Sequence, residues 1–172
     1  QFPEKIQQGI EFQNVSFKYP HAKTYALKNI ALKIQPRESI ALVGENGSGK
    51  TSFIKLLARL YDPTEGAILI DGVNSKDYAV EDIQKNTGII FQDFMKYEAA
   101  VKDNIRYGRL EEKNHKKKVH SAAMKAEAWN FIKDLEKTYQ THLGKTLKEG
   151  GTELSLGQWQ KIALARAFFR NA

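Results

Sequence analysis

Gly44-Glu45-Asn46-Gly47-Ser48-Gly49-Lys50-Thr51 decides how the rest of the chain is read. Two glycines separated by four residues and followed by Lys and a hydroxyl residue form the phosphate-loop pattern. Average residue usage yields such a match by chance in on the order of one chain in a hundred of this size. The glycines would let consecutive backbone N–H groups turn inward around phosphates, and a helix N-terminus behind them would add partial positive charge. Lys50 would then reach the β- and γ-phosphates, and Thr51 would offer its hydroxyl to Mg²⁺. The plainer alternative is a glycine-rich entry to a helix.

The flanks fit the phosphate-loop reading. Ser39 to Val43 is a short, near-continuous apolar run, as expected of a strand covered on both faces in a parallel sheet. Behind the loop, Phe53, Ile54, Leu56, Leu57 and Leu60 fall at helical spacing until Asp62-Pro63 stops the pattern. Upstream, Ile10, Phe12, Val15, Phe17 and Tyr19 alternate with polar residues apart from one slip at Asn14, which predicts a half-buried strand with a bulge. Leu27, Ile30, Leu32 and Ile34 predict a second strand, antiparallel to the first. Downstream, Ala67 to Ile70 predicts a strand ending in an Asp71-Gly72 turn, Val80 to Lys85 a short helix, and Gly88 to Phe91 another strand. From Val101 to about Leu143 the pattern turns helical, and Ser155 is an N-cap candidate for a last helix. Strands alternating with helices make the class α/β. The expected organisation is an antiparallel β subdomain at 1–35, a phosphate-loop core at 36–97 and a helical subdomain at 98–172.

Composition excludes several classes. Of 172 residues, 41% are hydrophobic and 27% charged, which is ordinary globular usage and argues against disorder. No apolar run approaches the roughly 18 residues that span a bilayer. There is no cysteine, which removes disulfides and thiolate zinc sites. The formal charge of +7 suits an anionic partner without choosing among nucleotide, nucleic acid and acidic membrane surface. The densest cluster, Lys113, Lys116, Lys117 and Lys118 with His115 and His120, reads as a solvated helix face, because aromatic residues are not interleaved with it. Opening on Gln1 and closing on Arg170-Asn171-Ala172 inside a helix, the chain is expected to be a piece of something longer.

A phosphate loop alone leaves many chemistries open. Leu154-Ser155-Leu156-Gly157-Gln158, with the run from Trp159 to Ala167 behind it, closely resembles the signature sequence of ABC ATPases. It too is a helix N-terminus, with Ser155 and the Gly157 backbone free to meet an anion. Once that family is in view the resemblance covers essentially the whole chain. Val15 to Pro20 resembles the segment whose aromatic residue stacks on adenine, which would be Tyr19. Ile89-Ile90-Phe91-Gln92-Asp93 is similar to the glutamine loop, whose Gln92 would sense the γ-phosphate and Mg²⁺ and contact the membrane domain. Asp103 to Gly108 and Glu149-Gly150-Gly151-Thr152-Glu153 are placed as in exporters with fused membrane helices, and peptide or lantibiotic exporters look nearest.

The resemblance implies a P-loop NTPase fold with an N-terminal antiparallel β subdomain and an inserted helical subdomain. ATP and Mg²⁺ are the expected cofactors. The implied ATP-binding set is Tyr19, Gly44, Glu45, Asn46, Gly47, Ser48, Gly49, Lys50, Thr51, Ser52 and Gln92, with Thr51 and Gln92 toward Mg²⁺. Leu154, Ser155, Leu156, Gly157 and Gln158 would act on the ATP of a second ATP-binding domain in a head-to-tail dimer. Transmembrane domains of the same transporter are the other implied partner, at the cytoplasmic face of a bacterial membrane, and no nucleic acid is expected. The alternatives are a soluble ABC ATPase acting on nucleic acid or the ribosome, and a catalytically incompetent nucleotide-binding fragment. Two departures stand out. Leu156 occupies a position that is usually Gly, and no apolar strand ending in Asp-Glu follows residue 158. The Walker B aspartate, catalytic glutamate and switch histidine are therefore missing, this stretch is expected to be inactive alone, and Ile40 to Val43 is expected to lie at an exposed edge.

Overall fold

The computed structural model describes residues 2–112, 115–144 and 151–171. They divide into two compact units, 1–87 and 88–172.

The first unit is built on an antiparallel sheet of β1 (Ile10–Phe17), β2 (Leu27–Ile34), β3 (Glu65–Ile70) and β4 (Val73–Asn74), in the order β2-β1-β3-β4. The slip at Asn14 is a bulge, as the spacing predicts. Phe12 pairs with Leu32 and Val15 with Ile30, so three steps on β1 oppose two on β2. Asn14 takes up the extra residue at φ 49. That insertion returns Val15 to the face of Phe12, and Phe12, Val15 and Phe17 are all buried. The same extra residue faces β3, where Gly66 sits at φ 78. A Cβ there would lie 2.3 Å from the Gln13 carbonyl oxygen and 2.5 Å from that of Asn14, so only glycine fits opposite the bulge.

The helix α1 (Lys50–Leu57) lies against this sheet through Phe53, stacked on Phe12 with ring centroids 4.4 Å apart. It stops before the expected Leu60. Arg59 adopts φ 49, its N–H bonds the Leu56 carbonyl and the Leu60 N–H reaches back to Lys55, which is a Schellman closure without glycine. The Arg59 guanidinium holds that turn by donating to Ser75 O at 2.6 Å and to Asp62 Oδ1 at 3.3 Å. A 3-10 turn at Ser75–Asp77 and α2 (Val80–Lys85) close the unit over Ile70, Tyr78 and Ile83.

Two expected strands are not strands. Ile40 to Val43 and Gly88 to Phe91 make no ladder among the described residues, and the parallel sheet they imply is absent there. An apolar run becomes a strand only when another strand takes its N–H and C=O groups. Unpaired, Ile40 to Val43 is exposed, with Val43 94% accessible, and the expected strand with an open edge is not formed.

The second unit is helical: α3 (Val101–Arg106), α4 (His115–Lys125), α5 (Trp129–Ile132), a 3-10 turn at Thr138–Gln140 and α6 (Leu156–Arg170). Val119, Ala122 and Ala123 of α4 meet Trp159, Ile162 and Ala165 of α6 in one core, and the small alanines let the two helices approach closely. Lys116 and Lys117 point to solvent and Lys118 pairs with Glu112, so the described lysines of the basic cluster form a solvated face, while His120 stands edge-on to Trp129 and 2.8 Å from the Tyr139 hydroxyl. Lys113 and the His115 side chain lie outside the described residues. No helix among the described residues is long and apolar enough to cross a membrane.

Asp71 and Gly72, at φ 50 and 80, turn β3 into β4. The Asp71 carboxylate accepts N–H groups of Gln7, Gln8 and Gly9 at 2.9, 2.8 and 3.1 Å. Desolvation pushes its pKa up, but these three donors outweigh it and hold it below the ordinary value. A folded-state pKa below the unfolded one gives stability that is present above the unfolded pKa and lost as the pH falls through the folded one. Asp71→Asn should therefore lower the melting temperature at neutral pH and flatten its decline below about pH 4. A decline identical to wild type, followed by circular dichroism, would remove the clamp from the account.

Candidate phosphate loop and signature helix

The loop before α1 turns on Gly47 and Gly49, at φ 85 and 91, and Ser48 N–H bonds the Glu45 carbonyl at 3.2 Å. Gly49 is the N-cap of α1 and cannot be larger, because a Cβ would lie 2.5 Å from Ala26 O and 2.7 Å from Leu27 Cδ2. The helix thus starts hard against the beginning of β2. No side chain caps it and no acid occupies its first turn. Its leading N–H groups and the positive end of its dipole are left for an anion.

Lys50, at the first helical position, folds its ammonium back into the loop. Nζ donates to the carbonyls of Gly44 and Glu45, each at 2.7 Å, and to Ser48 Oγ at 3.3 Å. One cation gathering three oxygens is the arrangement that accepts phosphate oxygens in exchange. Thr51 beside it is exposed. Ser52 is buried, and its hydroxyl lies 3.1 Å from the Tyr19 hydroxyl. Tyr19 is thereby placed at the first turn of α1, half-buried just past the end of β1, edge-on to Phe17 and Tyr61 and with Lys55 Nζ 5.5 Å from its ring centroid. The structure gathers Tyr19, Gly44 to Gly49, Lys50, Thr51 and Ser52 in the first unit.

Gln92 and the pentapeptide Leu154 to Gln158 belong to the second unit. Gln92 is exposed in a turn. The pentapeptide is split by burial: Leu154 is anchored in the core, while Ser155, Leu156 and Gly157 face outward, Leu156 at 62% exposure. Ser155 closes a capping box, its Oγ accepting Gln158 N–H at 3.3 Å while Gln158 Oε1 accepts Ser155 N–H at 2.9 Å. Because Ser155 Oγ accepts here, its proton is free to be donated outward. A Cβ at Gly157 would meet nothing within 4 Å, so nothing in the chain itself demands glycine there. Gly151, Thr152 and Glu153 lead into this end, with Thr152 N–H on the His142 carbonyl at 2.9 Å, whereas Glu149 and Gly150 lie outside the described residues.

One arrangement was not legible beforehand. Asn104 of α3 is fully buried, and Arg166 of α6 donates to its backbone and side-chain oxygens at 3.1 and 3.3 Å. Burial lowers the Arg166 pKa, and the phenols of Tyr97 and Tyr107 act in the opposite direction. An Arg inside the apolar run Ile162 to Ala167 was the available signal. A cavity of about 420 Å³ opens beside it, lined among others by Phe91, Phe94, Tyr97 and Tyr107.

Comparison with known proteins agrees with this geometry. The family model described as "ABC transporter" matches residues 27–172. The subtilin transport ATP-binding protein of Bacillus subtilis is 46% identical over 95% of the chain and 26% of its own length. The nisin transport ATP-binding protein of Lactococcus lactis is 41% identical over 92% of the chain and 26% of its length. An ATP-dependent lipid A-core flippase of Hahella chejuensis is 38% identical over 98% of the chain and 28% of its length. The structure of a bacterial Atm1-family ABC exporter with ATP bound superposes with a TM-score of 0.84 at 31% identity, covering 99% of the chain and 30% of that one. The chain thus spans roughly a quarter of the length of these curated relatives.

The capping box gives a direct expectation. Ser155→Ala should lower stability by about 1 kcal/mol, read as the denaturant midpoint, whereas Ser155→Asp, also a good N-cap, should stay near wild type. Equal losses in both would mean that the cap contributes nothing.

Proposed function

The chain belongs to the ABC transporter family and binds nucleotide, and on that premise we propose that it is the ATP-binding part of an ATP-driven exporter. The observation that carries the proposal is the ammonium of Lys50 held among loop oxygens at an uncapped helix start. ATP takes its phosphates into Gly44 to Ser52, Lys50 pairs with the β- and γ-phosphates, and Tyr19 stacks on the adenine. The residues present also fit Mg²⁺. Such ions are commonly held by substrate phosphates with few protein groups, and Thr51 is exposed at the first turn. Bound there, Mg²⁺ would neutralise charge on the phosphates. The family resemblance gives Gln92 the response to the γ-phosphate, and its segment would meet the transmembrane domains.

A second copy or equivalent domain packs head to tail, and Leu154 to Gln158 of one closes over the nucleotide of the other. Ser155 donates its free proton to a phosphate oxygen, and the backbone at Gly157 approaches without hindrance. Leu156 adds an apolar side chain at this face. Since ATP contacts both partners only when they are closed, its binding shifts the pair toward closure. The relatives carry transport names that include subtilin, nisin and lipid A-core, which supports a peptide or lipid substrate and supports export over action on nucleic acid. The setting is the cytoplasmic face of a bacterial membrane.

The test uses the full-length protein. Mg-ATP should raise its melting temperature, because a ligand that binds only the folded state stabilises by about 2.7 kcal/mol at a hundred times its Kd. Lys50→Ala should remove most of that shift and reduce phosphate release by at least about tenfold. An undiminished shift in Lys50→Ala would end the role given to Lys50.

A further inference from the structure

The segment that follows Gln92 has no regular structure until an isolated antiparallel bridge at Ala100, where Leu143 N–H bonds Ala99 O and Val101 N–H bonds Thr141 O, each at 3.0 Å, so the path of 93–98 must be fixed by something other than a backbone ladder. Side chains of two helices supply that. Arg166 Nη1 donates to Met95 O at 3.2 Å, and its Cζ lies 4.8 Å from the centroid of the Tyr97 ring. The same guanidinium holds Asn104 O and Oδ1 at 3.1 and 3.3 Å. The Asn104 amide in turn donates to Tyr97 O at 2.9 Å and to Ala99 O at 3.2 Å. One turn further along α6, Arg170 Nη1 reaches Gly108 O at 3.3 Å. Gly108 lies so close to α6 that a Cβ on it would stand 2.1 Å from Arg166 O.

The Arg166 guanidinium is thus bonded to neutral oxygens and an aromatic face, and three separate places on the 95–104 stretch converge on it. Lysine could not reproduce this, because a single ammonium cannot span Met95 O and both oxygens of Asn104 in the plane of a fork. The helix that carries these bonds is the one capped by Ser155.

We propose that Arg166 is a positioning residue that fixes the segment after Gln92 to the signature helix, so that the Gln92 turn and the Ser155 end keep one relative placement within their unit. The inference rests on the nucleotide roles given above to Gln92 and Ser155. It adds that the Arg166 fork and the Asn104 amide are what hold that placement. Loss of the fork would leave the phosphate loop intact and let the Gln92 turn wander.

The experiment is a double-mutant cycle on Mg-ATP hydrolysis by the full-length protein, with Arg166→Lys, Gln92→Ala and the pair. Arg166→Lys should lower kcat by about tenfold with KM for ATP changed less than about twofold, as for an interaction that acts after binding. In the Gln92→Ala background the same change should have little further effect, because residues that act through one another do not add. Multiplicative losses, or an unchanged kcat in Arg166→Lys, would overturn the proposal. Hydrogen exchange gives a readout independent of turnover: amides 93–99 should exchange at least about tenfold faster in Arg166→Lys while α4 and the rest of α6 stay protected. Unchanged exchange at 93–99 would overturn it as well. If Arg166→Lys fails to fold, Arg166→Gln, which also removes the charged fork, takes its place with the same expectations. A wild-type protein that neither binds nor hydrolyses Mg-ATP would instead overturn the functional reading on which the inference stands.

Discussion

A helix that begins without a cap is weakest at its first turn, and α1 begins there because packing leaves it nowhere else to start. Phe53 is stacked on Phe12, Ser52 is tied to Tyr19, and Gly49 touches the carbonyl of Ala26 so closely that no side chain fits. These three attachments hold the first-turn amides in position while leaving them without a side-chain partner. Everything proposed for the nucleotide depends on that combination. A capping side chain at residue 49, for which the Ala26 carbonyl leaves no room, would consume the very donors that make this start an anion site.

The starts of α1 and α6 solve the problem differently. At α6 the reciprocal bonds of Ser155 and Gln158 satisfy two of the leading N–H groups internally. The outward proton of Ser155 and the first-turn backbone of Leu156 and Gly157 remain to meet something else. That fits a surface which works on a neighbour's nucleotide and has to persist when none is there. Leu156 stands exposed at the same end, where the family pattern has glycine.

Much of this was legible because it is local. The positions 10, 12, 15 and 17 cannot share one face of a strand without one extra residue, so the bulge at Asn14 could be read before any partner strand was known. The phosphate loop, the α2 helix and the cap of α6 likewise rest on contacts within a few residues. What failed was relational. Ile40 to Val43 and Gly88 to Phe91 have strand composition, but a ladder needs a second segment that composition does not supply. The early stop of α1 hid behind an Arg at a position where glycine is the usual signal, made tenable by carbonyls of residues far along the chain. The fork of Arg166 on Asn104 was hidden for the same reason: its parts are 62 residues apart.

The measurement that bears most directly on the central claim is residue-resolved amide hydrogen exchange of the full-length protein with and without Mg-ATP. If the uncapped start of α1 is the phosphate site, the amides of Gly47 through Phe53 should exchange more slowly with nucleotide, and Lys50→Ala should abolish most of that protection. Nucleotide binding that leaves those amides unchanged while protecting another part of the chain would contradict the account.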